Sequence, residues 1–361
     1  MQKILQGYQQ IGNILEELNN PHYMLVCGSS YYTLPIKDML KPDLVFSDFS
    51  PNPRYEDVCK GVKAFNENHC EAIVAIGGGS AMDVAKCIKL FCKMDPEQSY
   101  LQKEYKDSGI PLIAVPTTAG SGSESTRYAV IYHNGTKHSI AHNSIIPDYA
   151  ILDSSLLKTL PLYQKKCTML DALCQGIESL WSVNSTEKSM IYSKIAIQMI
   201  MEHWHEYIEL DNDEGAYYIM MASNYAGQAI NITQTTAAHA MSYKLTSLYG
   251  IPHGHAVALS MTRVWMYLLE HPEKCVDPRG EDHLSFILEW LGQMMLCDTP
   301  YKGLMMFNSI LVALDMQYPH SDNREADIDL LTESVNLERL GNTPVKLDKE
   351  AIRFMYERII S

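Results

Sequence analysis

The sequence is short of positive charge: 29 lysines and arginines face 43 aspartates and glutamates, for a formal net charge of −14. Because phosphate contacts require clustered lysine and arginine, this balance argues against nucleic acid and anionic membrane surfaces as partners. No apolar run approaches the roughly 18 residues that a membrane span requires, and residues 1–20 lack the layout of a secretory signal peptide. We therefore expect a soluble, cytoplasmic protein.

The nine cysteines include no C-x-x-C pair and no zinc-finger spacing. An odd number of scattered cysteines predicts reduced, mostly buried thiols rather than a disulfide framework. A chain of 361 residues is longer than one that usually folds around a single hydrophobic core, so two domains are expected.

Short apolar runs alternate with helical patterns over the first part of the chain, which is typical of a mostly parallel α/β domain. The pattern predicts one amphipathic helix over residues 1–20, a hairpin at Asn134-Gly135, and strands at 22–28, 43–49, 71–79, 111–118 and 149–153. Strand signals end at Leu160-Pro161, and helical patterns follow. We expect an α/β domain over 1–160, an all-α domain over 161–361, and a cleft between them.

Two polar loops follow predicted strands of the first domain. Residues 72–87 (AIVAIGGGSAMDVAKC) run from a strand through three glycines into a helix, and residues 116–126 (PTTAGSGSEST) supply hydroxyls and glycines. Glycines and a helix N-terminus allow backbone N–H groups to close on a pyrophosphate, and open α/β sheets bind ligands at strand carboxyl ends. Two such loops favour a nucleotide site over simple tight turns.

Oxygen and imidazole side chains occur at ligand-like spacing in the second domain. Asp171 and Gln175 are four residues apart on a predicted helix and share a face, while His239 and His253 flank a helix break. These donors suit a divalent first-row metal that polarises a carbonyl or alkoxide oxygen. The alternative is that the histidines are ordinary core or surface residues.

The motifs GGGSAMDVAK, PTTAGSGSE, DALCQGIE and HAMSY…IPHG occur in the order in which they occur in the iron-containing (group III) alcohol dehydrogenases, and the resemblance spans essentially the whole chain. It implies a dehydroquinate synthase-like fold, an NAD(P)H-dependent alcohol dehydrogenase or aldehyde reductase activity, and a divalent metal, Fe²⁺ or Zn²⁺. The positions that match the family's cofactor-binding residues are Gly77, Gly78, Gly79, Ser80, Asp83, Thr117, Thr118, Ser121 and Lys137. The positions that match its metal ligands are Asp171, Gln175, His239 and His253.

Two positions depart from most members of the family. Gln175 stands where most have a histidine. Its amide oxygen is a harder and weaker metal ligand than an imidazole, so it affects which metal binds and how fully the site is occupied. His255 is an alternative ligand. Tyr243 stands where many have a second histidine, and its hydroxyl either relays a proton in catalysis or the ring only fills space.

The residues at the end of the predicted strand 22–28 indicate which nicotinamide cofactor is preferred. Gly28, Ser29 and Ser30 include no carboxylate to repel a 2′-phosphate, so NADP(H) is favoured over NAD(H). The segments DALCQGIESLWSVNST and VNLERLGNTPVKL resemble the phosphonoacetaldehyde reductases of phosphonate biosynthesis, which form 2-hydroxyethylphosphonate. Their doubly charged substrate needs a cation, for which Arg127 and Arg339 are candidates.

Three positions match pocket-lining residues of the family: Tyr128, Ile230 and Thr235. Three functional alternatives remain, namely a dehydrogenase of neutral short-chain alcohols, a sugar-phosphate cyclase-type lyase that uses NAD transiently, and a nucleotide-binding protein without turnover. A homodimer is one possible assembly.

Overall fold

The computed structural model of the protein describes residues 2–96, 98–101, 104–335 and 337–361, with the side chains of all but 337–339. The chain divides into two compact units, Met1–Leu160 and Pro161–Ser361. The first unit is α/β with a parallel sheet and the second is helical, which confirms the expected fold class.

The first unit is built on a six-stranded parallel sheet. Its strands are β1 (Lys3–Gln6), β2 (Tyr23–Cys27), β3 (Leu44–Phe46), β4 (Ala72–Gly77), β5 (Leu112–Pro116) and β8 (Tyr149–Leu152). Across the sheet they lie in the order β1-β8-β5-β4-β2-β3. Every residue of β2, β4, β5 and β8 is buried. Continuous apolar strands are expected here because parallel sheets are covered on both faces.

Helices and a hairpin complete this unit. The helices are α1 (Gln10–Glu17), α2 (Tyr55–Glu67) and α3 (Gly79–Phe91). The strands β6 (Tyr128–His133) and β7 (Thr136–Ala141) pair antiparallel around Asn134-Gly135, where both residues have positive φ, as the sequence predicted.

The prediction of a single N-terminal helix is wrong. Residues 3–6 form β1, which pairs in parallel with β8 so that Lys3 lies opposite Tyr149, and the helix begins only at Gln10. The helical spacing of the apolar residues correctly indicated a helix from Ile11 onward. It could not indicate that residues 3–6 pair with a strand more than 140 residues later in the chain. Strand β3 is also shorter than predicted, covering 44–46 instead of 43–49.

The described residues of the second unit form nine α-helices and no strand longer than an isolated bridge. The helices are α4 (Leu162–Trp181), α5 (Glu187–Ile208), α6 (Asp213–Thr233), α7 (Ala237–Tyr249), α8 (His253–Glu270), α9 (Glu281–Met294), α10 (Pro300–Ala313), α11 (Arg324–Ser334) and α12 (Lys349–Tyr356). Helix α4 is buried along most of its length and packs against α5, α6 and α8. None of the helices in the described chain combines the length and apolar character that crossing a membrane demands.

Candidate functional site

Three strand ends place the predicted cofactor residues at one edge of the sheet. Strands β2, β4 and β5 are adjacent and parallel, so their carboxyl ends meet. Gly28 follows β2, Gly78 follows β4 and Thr117 follows β5. The backbone N–H of Thr117 donates to the carbonyl of Gly77 at 3.0 Å, which ties the second loop to the first. This edge is where open α/β sheets bind ligands.

The two loops also touch through their side-chain faces. A Cβ atom at Gly78 would lie 3.2 Å from the methyl group of Thr118, and one at Gly79 would lie 3.4 Å from the hydroxyl of Ser121. Helix α3 starts at Gly79, so the N–H groups of Gly79, Ser80 and the next residues lack partners within the helix. Bare glycine backbone beside a helix N-terminus suits an anionic group such as a pyrophosphate.

A buried lysine behind these loops was not assigned a role from the sequence. The Nζ of Lys86, on α3, donates to Ser123 Oγ at 2.9 Å, to Thr126 Oγ1 at 3.0 Å and to the carbonyl of Tyr128 at 2.8 Å. The Oδ1 of Asp83 accepts from the same Ser123 hydroxyl at 3.2 Å. Lys86 therefore fastens the second loop and the start of β6 to α3.

Burial governs the ionisation of this pair. Burial raises the pKa of Asp83 to about 6, although the charges of Lys86 and Lys137 oppose the rise. Burial likewise lowers the pKa of Lys86 to about 8, against the charges of Asp83 and Glu124.

The other predicted residues of the first unit lie at or near its surface. Ser29 and Ser30 begin a short 3₁₀ helix and are exposed. The Nε of Arg127 donates to the Tyr128 hydroxyl at 3.1 Å, and its guanidinium lies 5.3 Å from the centre of the Tyr128 ring. Arg127 is thus held against an aromatic ring and partly accessible.

In the second unit, three helices bring Asp171, His239 and His253 together. One ligand atom from each lies within 4.8 Å of the others. The Nε2 of His239 is 3.3 Å from Asp171 Oδ1, and the two imidazole rings have centres 5.4 Å apart. The three residues come from α4, α7 and α8, and together they form a compact set of metal-ligand groups.

Gln175 adds an amide one helical turn after Asp171. Its Nε2 donates to Asp171 Oδ2 at 3.3 Å. Asp171 Oδ1, Gln175 Oε1 and His239 Nε2 are all buried and have no hydrogen-bond partner among the described residues. Buried polar atoms rarely stay unsatisfied, and all three are metal-ligand atoms, so the donor set fits a divalent cation.

Glu178 was missed as a functional residue in the sequence, although it lies seven residues after Asp171 on the same helical face. It is fully buried, and its Oε2 contacts His239 Nδ1. Burial lowers the pKa of His239, but the negative charges of Glu178 and Asp171 outweigh it and raise the pKa to about 9. Burial raises the pKa of Asp171, but His239, His253 and Gln175 lower it further, so this group stays a carboxylate.

The sequence offers both His253 and His255 as candidate metal ligands, and the structure gives the two side chains different partners. His253 is the first residue of α8; its Nδ1 lies 3.3 Å from Ser242 Oγ, and its ring stacks on Tyr243 with centres 5.6 Å apart. His255 instead faces Tyr163, whose hydroxyl is 2.8 Å from its Nδ1. Among the described residues, the cluster of ligand groups does not include His255, and its role as a replacement ligand stays a prediction of the sequence.

The candidate substrate residues of this unit lie near the turn between α6 and α7. Ile230 is half-buried on α6, and the carbonyl of Thr235 accepts from Asn342 Nδ2 at 3.1 Å. Gln234 has φ 61° and ψ 178°, a strained conformation for a residue with a side chain. Arg339 falls in the 3₁₀ helix Leu337–Asn342, but its side chain lies outside the described part of the chain.

Comparisons with known proteins agree with this architecture. Residues 2–154 match the family described as iron-containing alcohol dehydrogenase, and residues 166–359 match the C-terminal part of the Fe-containing alcohol dehydrogenase family. The chain is 30% identical to the phosphonoacetaldehyde reductase of Streptomyces viridochromogenes over 88% of its own length and 83% of that protein. It is 32% identical to the 1,3-propanediol dehydrogenase of Citrobacter freundii over 65% of this chain and 62% of that protein.

A solved structure gives the same result. The sulfoacetaldehyde reductase of Bifidobacterium kashiwanohense, in complex with NAD⁺, superimposes with a TM-score of 0.87 at 27% identity, covering 99% of this chain and 96% of that one. The chain belongs to the family of iron-containing alcohol dehydrogenases. It is an oxidoreductase that acts on CH–OH groups.

Proposed function

We propose that the protein is an NADPH-dependent reductase of a small anionic aldehyde, with phosphonoacetaldehyde, reduced to 2-hydroxyethylphosphonate, as the first candidate. The observation that carries the proposal is the set of partnerless, buried ligand atoms on Asp171, Gln175 and His239 beside His253. Such a set in a family of alcohol dehydrogenases is what a carbonyl-polarising centre requires. The two relatives that reduce phosphonoacetaldehyde and sulfoacetaldehyde support the anionic substrate class.

Asp171, Gln175, His239 and His253 would hold the divalent metal. When bound, the metal supplies Lewis acidity toward the substrate's oxygen. Two oxygen and two imidazole donors form a harder set than one with three imidazoles, because Gln175 offers an amide oxygen. Fe²⁺ and Zn²⁺ both remain candidates for this set.

The first unit would hold the nicotinamide cofactor, which supplies the hydride. Gly77, Gly78, Gly79 and Ser80 offer backbone N–H groups to the pyrophosphate, and Thr117, Thr118 and Ser121 offer hydroxyls from the adjoining loop. Ser29 and Ser30 carry no charge that would repel a 2′-phosphate, which supports NADPH over NADH.

Tyr243 is the proposed proton donor or relay. Its ring is stacked on His253, which fixes the hydroxyl relative to a proposed metal ligand. A phenol positioned in this way donates a proton to an oxygen that becomes negative as hydride arrives. The ring contact alone is also what a purely space-filling aromatic would make, so a variant is needed to separate the two roles.

Arg127 is the described cation that we propose to contact the anionic end of the substrate. The Tyr128 ring and hydroxyl hold its guanidinium in place, which reduces the entropy lost when it binds an oxyanion. Arg339 stays a second candidate from the sequence. Ile230, Tyr128 and Thr235 remain proposed pocket residues.

The deciding experiment measures NADPH oxidation with phosphonoacetaldehyde and with propionaldehyde, a neutral aldehyde. The wild type should have the higher kcat/KM for the phosphonate. Arg127→Met should lose most of the phosphonate activity and leave propionaldehyde turnover nearly unchanged, and Arg127→Lys should fall between them.

The outcomes separate the remaining candidates. Faster turnover of propionaldehyde would favour a neutral alcohol dehydrogenase, a reading supported by the similarity to 1,3-propanediol dehydrogenase. Absence of net NADPH oxidation with either aldehyde would favour the lyase or a binding protein without turnover. A cytoplasmic location and a homodimer stay predictions of the sequence.

A further inference from the structure

Glu178 lies on α4 beyond Asp171 and Gln175, on the same side of the helix, and its carboxylate is fully enclosed. A buried carboxylate is costly unless its oxygens are hydrogen-bonded. Both oxygens of Glu178 have partners in this unit, so the residue has a defined task in the interior.

The two oxygens contact different groups. Oε1 accepts from Thr236 Oγ1 at 2.7 Å, from the N–H of Ala238 at 2.9 Å and from the N–H of His239 at 3.2 Å. These donors form the first turn of α7, so Oε1 caps that helix. Oε2 contacts the imidazole Nδ1 of His239.

The contact to Nδ1 sets which imidazole nitrogen carries the proton. A carboxylate oxygen only accepts, so it requires N–H at Nδ1, and a neutral ring then keeps its lone pair on Nε2. Nε2 is the atom that lies 3.3 Å from Asp171 Oδ1 and lacks a hydrogen-bond partner among the described residues. In the neutral ring, which is the form that binds a cation, the one proton is thus placed away from the ligand cluster.

We propose that Glu178 is a positioning residue that presents His239 to a divalent cation through Nε2. The inference rests on the metal site of the proposed function and adds a residue to it. One carboxylate both starts α7 and orients the ligand that α7 carries, so the ligand's position and its tautomer are fixed together. A carboxylate behind a ligating histidine also increases the basicity of the ring.

Glu178→Gln separates this role from simple helix capping. The amide oxygen of glutamine can take the place of Oε1 and keep the cap on α7. Its NH₂ group then faces His239 Nδ1 and donates to it, which moves the ring proton to Nε2 and blocks the ligand atom. Thr236→Val is the matched control, because it removes a donor to the capping oxygen and leaves Oε2 and the imidazole in place.

The test measures Co²⁺ and Zn²⁺ affinity of metal-free protein by competition with a chelating dye, together with thermal unfolding in EDTA. Glu178→Gln should bind both ions about 10 to 100 times more weakly, the usual effect of losing a partner behind a ligand, and its Co²⁺ visible spectrum should change. Thr236→Val should unfold at a lower temperature while binding Co²⁺ as the wild type does.

A measurement on the wild type covers the case in which Glu178→Gln fails to fold. With ¹⁵N-labelled histidine and bound Zn²⁺, His239 should carry its proton on Nδ1; a proton on Nε2 would overturn the proposal. Wild-type affinity in a folded Glu178→Gln protein would also overturn it and leave only the cap. If the wild type itself binds neither ion, the proposed metal site fails as well, and this result distinguishes the two failures.

Discussion

A Cβ atom built on Gly254 would lie 1.9 Å from the carbonyl oxygen of Cys167 and 3.0 Å from the Cβ of Asp171. The first turn of α8 therefore rests directly on the backbone of α4, one turn before Asp171. Glycine is the one residue that allows this approach. Since His253 precedes Gly254, the close packing also sets the distance between two of the proposed metal ligands.

Gly254→Ala should push α8 away from α4. We expect a loss of about 1–3 kcal/mol in the free energy of unfolding, as for other overpacked sites, and a weaker Zn²⁺ affinity because His253 is displaced. Equilibrium unfolding and dye competition measure the two effects. Gly12→Ala, where a Cβ meets nothing within 4 Å, is the control. It should leave Zn²⁺ affinity unchanged and, because alanine replaces glycine inside α1, raise the free energy of unfolding by about 0.5–1 kcal/mol. Full metal affinity in Gly254→Ala would show that the contact does not position His253.

Gln175→His should strengthen metal binding. An imidazole donor in place of an amide oxygen suits Zn²⁺ better, and we expect a gain of roughly tenfold or more in Zn²⁺ affinity. Gln175→Leu, which offers no donor atom, should bind more weakly than the wild type. If all three proteins bind Zn²⁺ equally, the amide of Gln175 is not part of the ligand set.

Tyr243→Phe should keep the ring that stacks on His253 and lose only the hydroxyl. If Tyr243 supplies the proton, kcat for aldehyde reduction should fall about 100-fold or more, the usual range for a lost general acid, while Co²⁺ affinity stays unchanged. Steady-state kinetics at saturating NADPH measure the effect. An unchanged kcat would leave Tyr243 a space-filling residue.

Ser29→Asp should reverse the cofactor preference. A carboxylate at the end of β2 repels a 2′-phosphate and accepts from ribose hydroxyls, so kcat/KM should fall with NADPH and rise with NADH. Ser29→Asn, which has the same shape without the charge, should retain the wild-type preference. A wild type that already prefers NADH would contradict our cofactor proposal.

Lys86 should make the free energy of unfolding depend on pH in the alkaline range. Its folded pKa of about 8 lies below the ordinary value of 10.5, so between these values the unfolded chain binds a proton that the folded protein has released. The free energy of unfolding contributed by this group therefore rises with pH across that interval. The melting temperature of the wild type relative to Lys86→Met should increase from pH 8 to pH 10.

Asp83 reinforces this trend. Without the charge of Lys86 its pKa should rise further above 6. The variant then keeps losing stability up to this higher pKa, because folded Asp83 still holds a proton that the unfolded chain has released. Both groups therefore make the difference in melting temperature between the wild type and Lys86→Met increase with pH. A difference that is flat or falls with pH would mean that the Lys86 amine is not held in a desolvated site.

The sequence predicted much of the fold because its strongest signals are local. Apolar runs located β4 and β5 to within a few residues. Strand β1 was missed because its partner β8 is distant in the chain, and pairing of this kind leaves no periodic trace.

The candidate sites also combine residues with a local sequence signal and residues without one. The glycine loop and the candidate metal ligands carry recognisable motifs, whereas Lys86 and Glu178 draw their roles from partners that only packing supplies. Lys86 reaches Ser123, and Glu178 reaches His239 across two helices. Residue spacing and composition do not predict which partner a buried charged side chain contacts, because that contact is set by the tertiary structure.

The most direct test of the central claim is NADPH oxidation with phosphonoacetaldehyde by chelator-treated protein titrated with Fe²⁺ or Zn²⁺, with His239→Ala as the variant. We predict that activity is absent after chelation, returns in proportion to the metal bound, and does not return in His239→Ala. Full activity in the chelated wild type, or metal-restored activity in His239→Ala, would contradict the account.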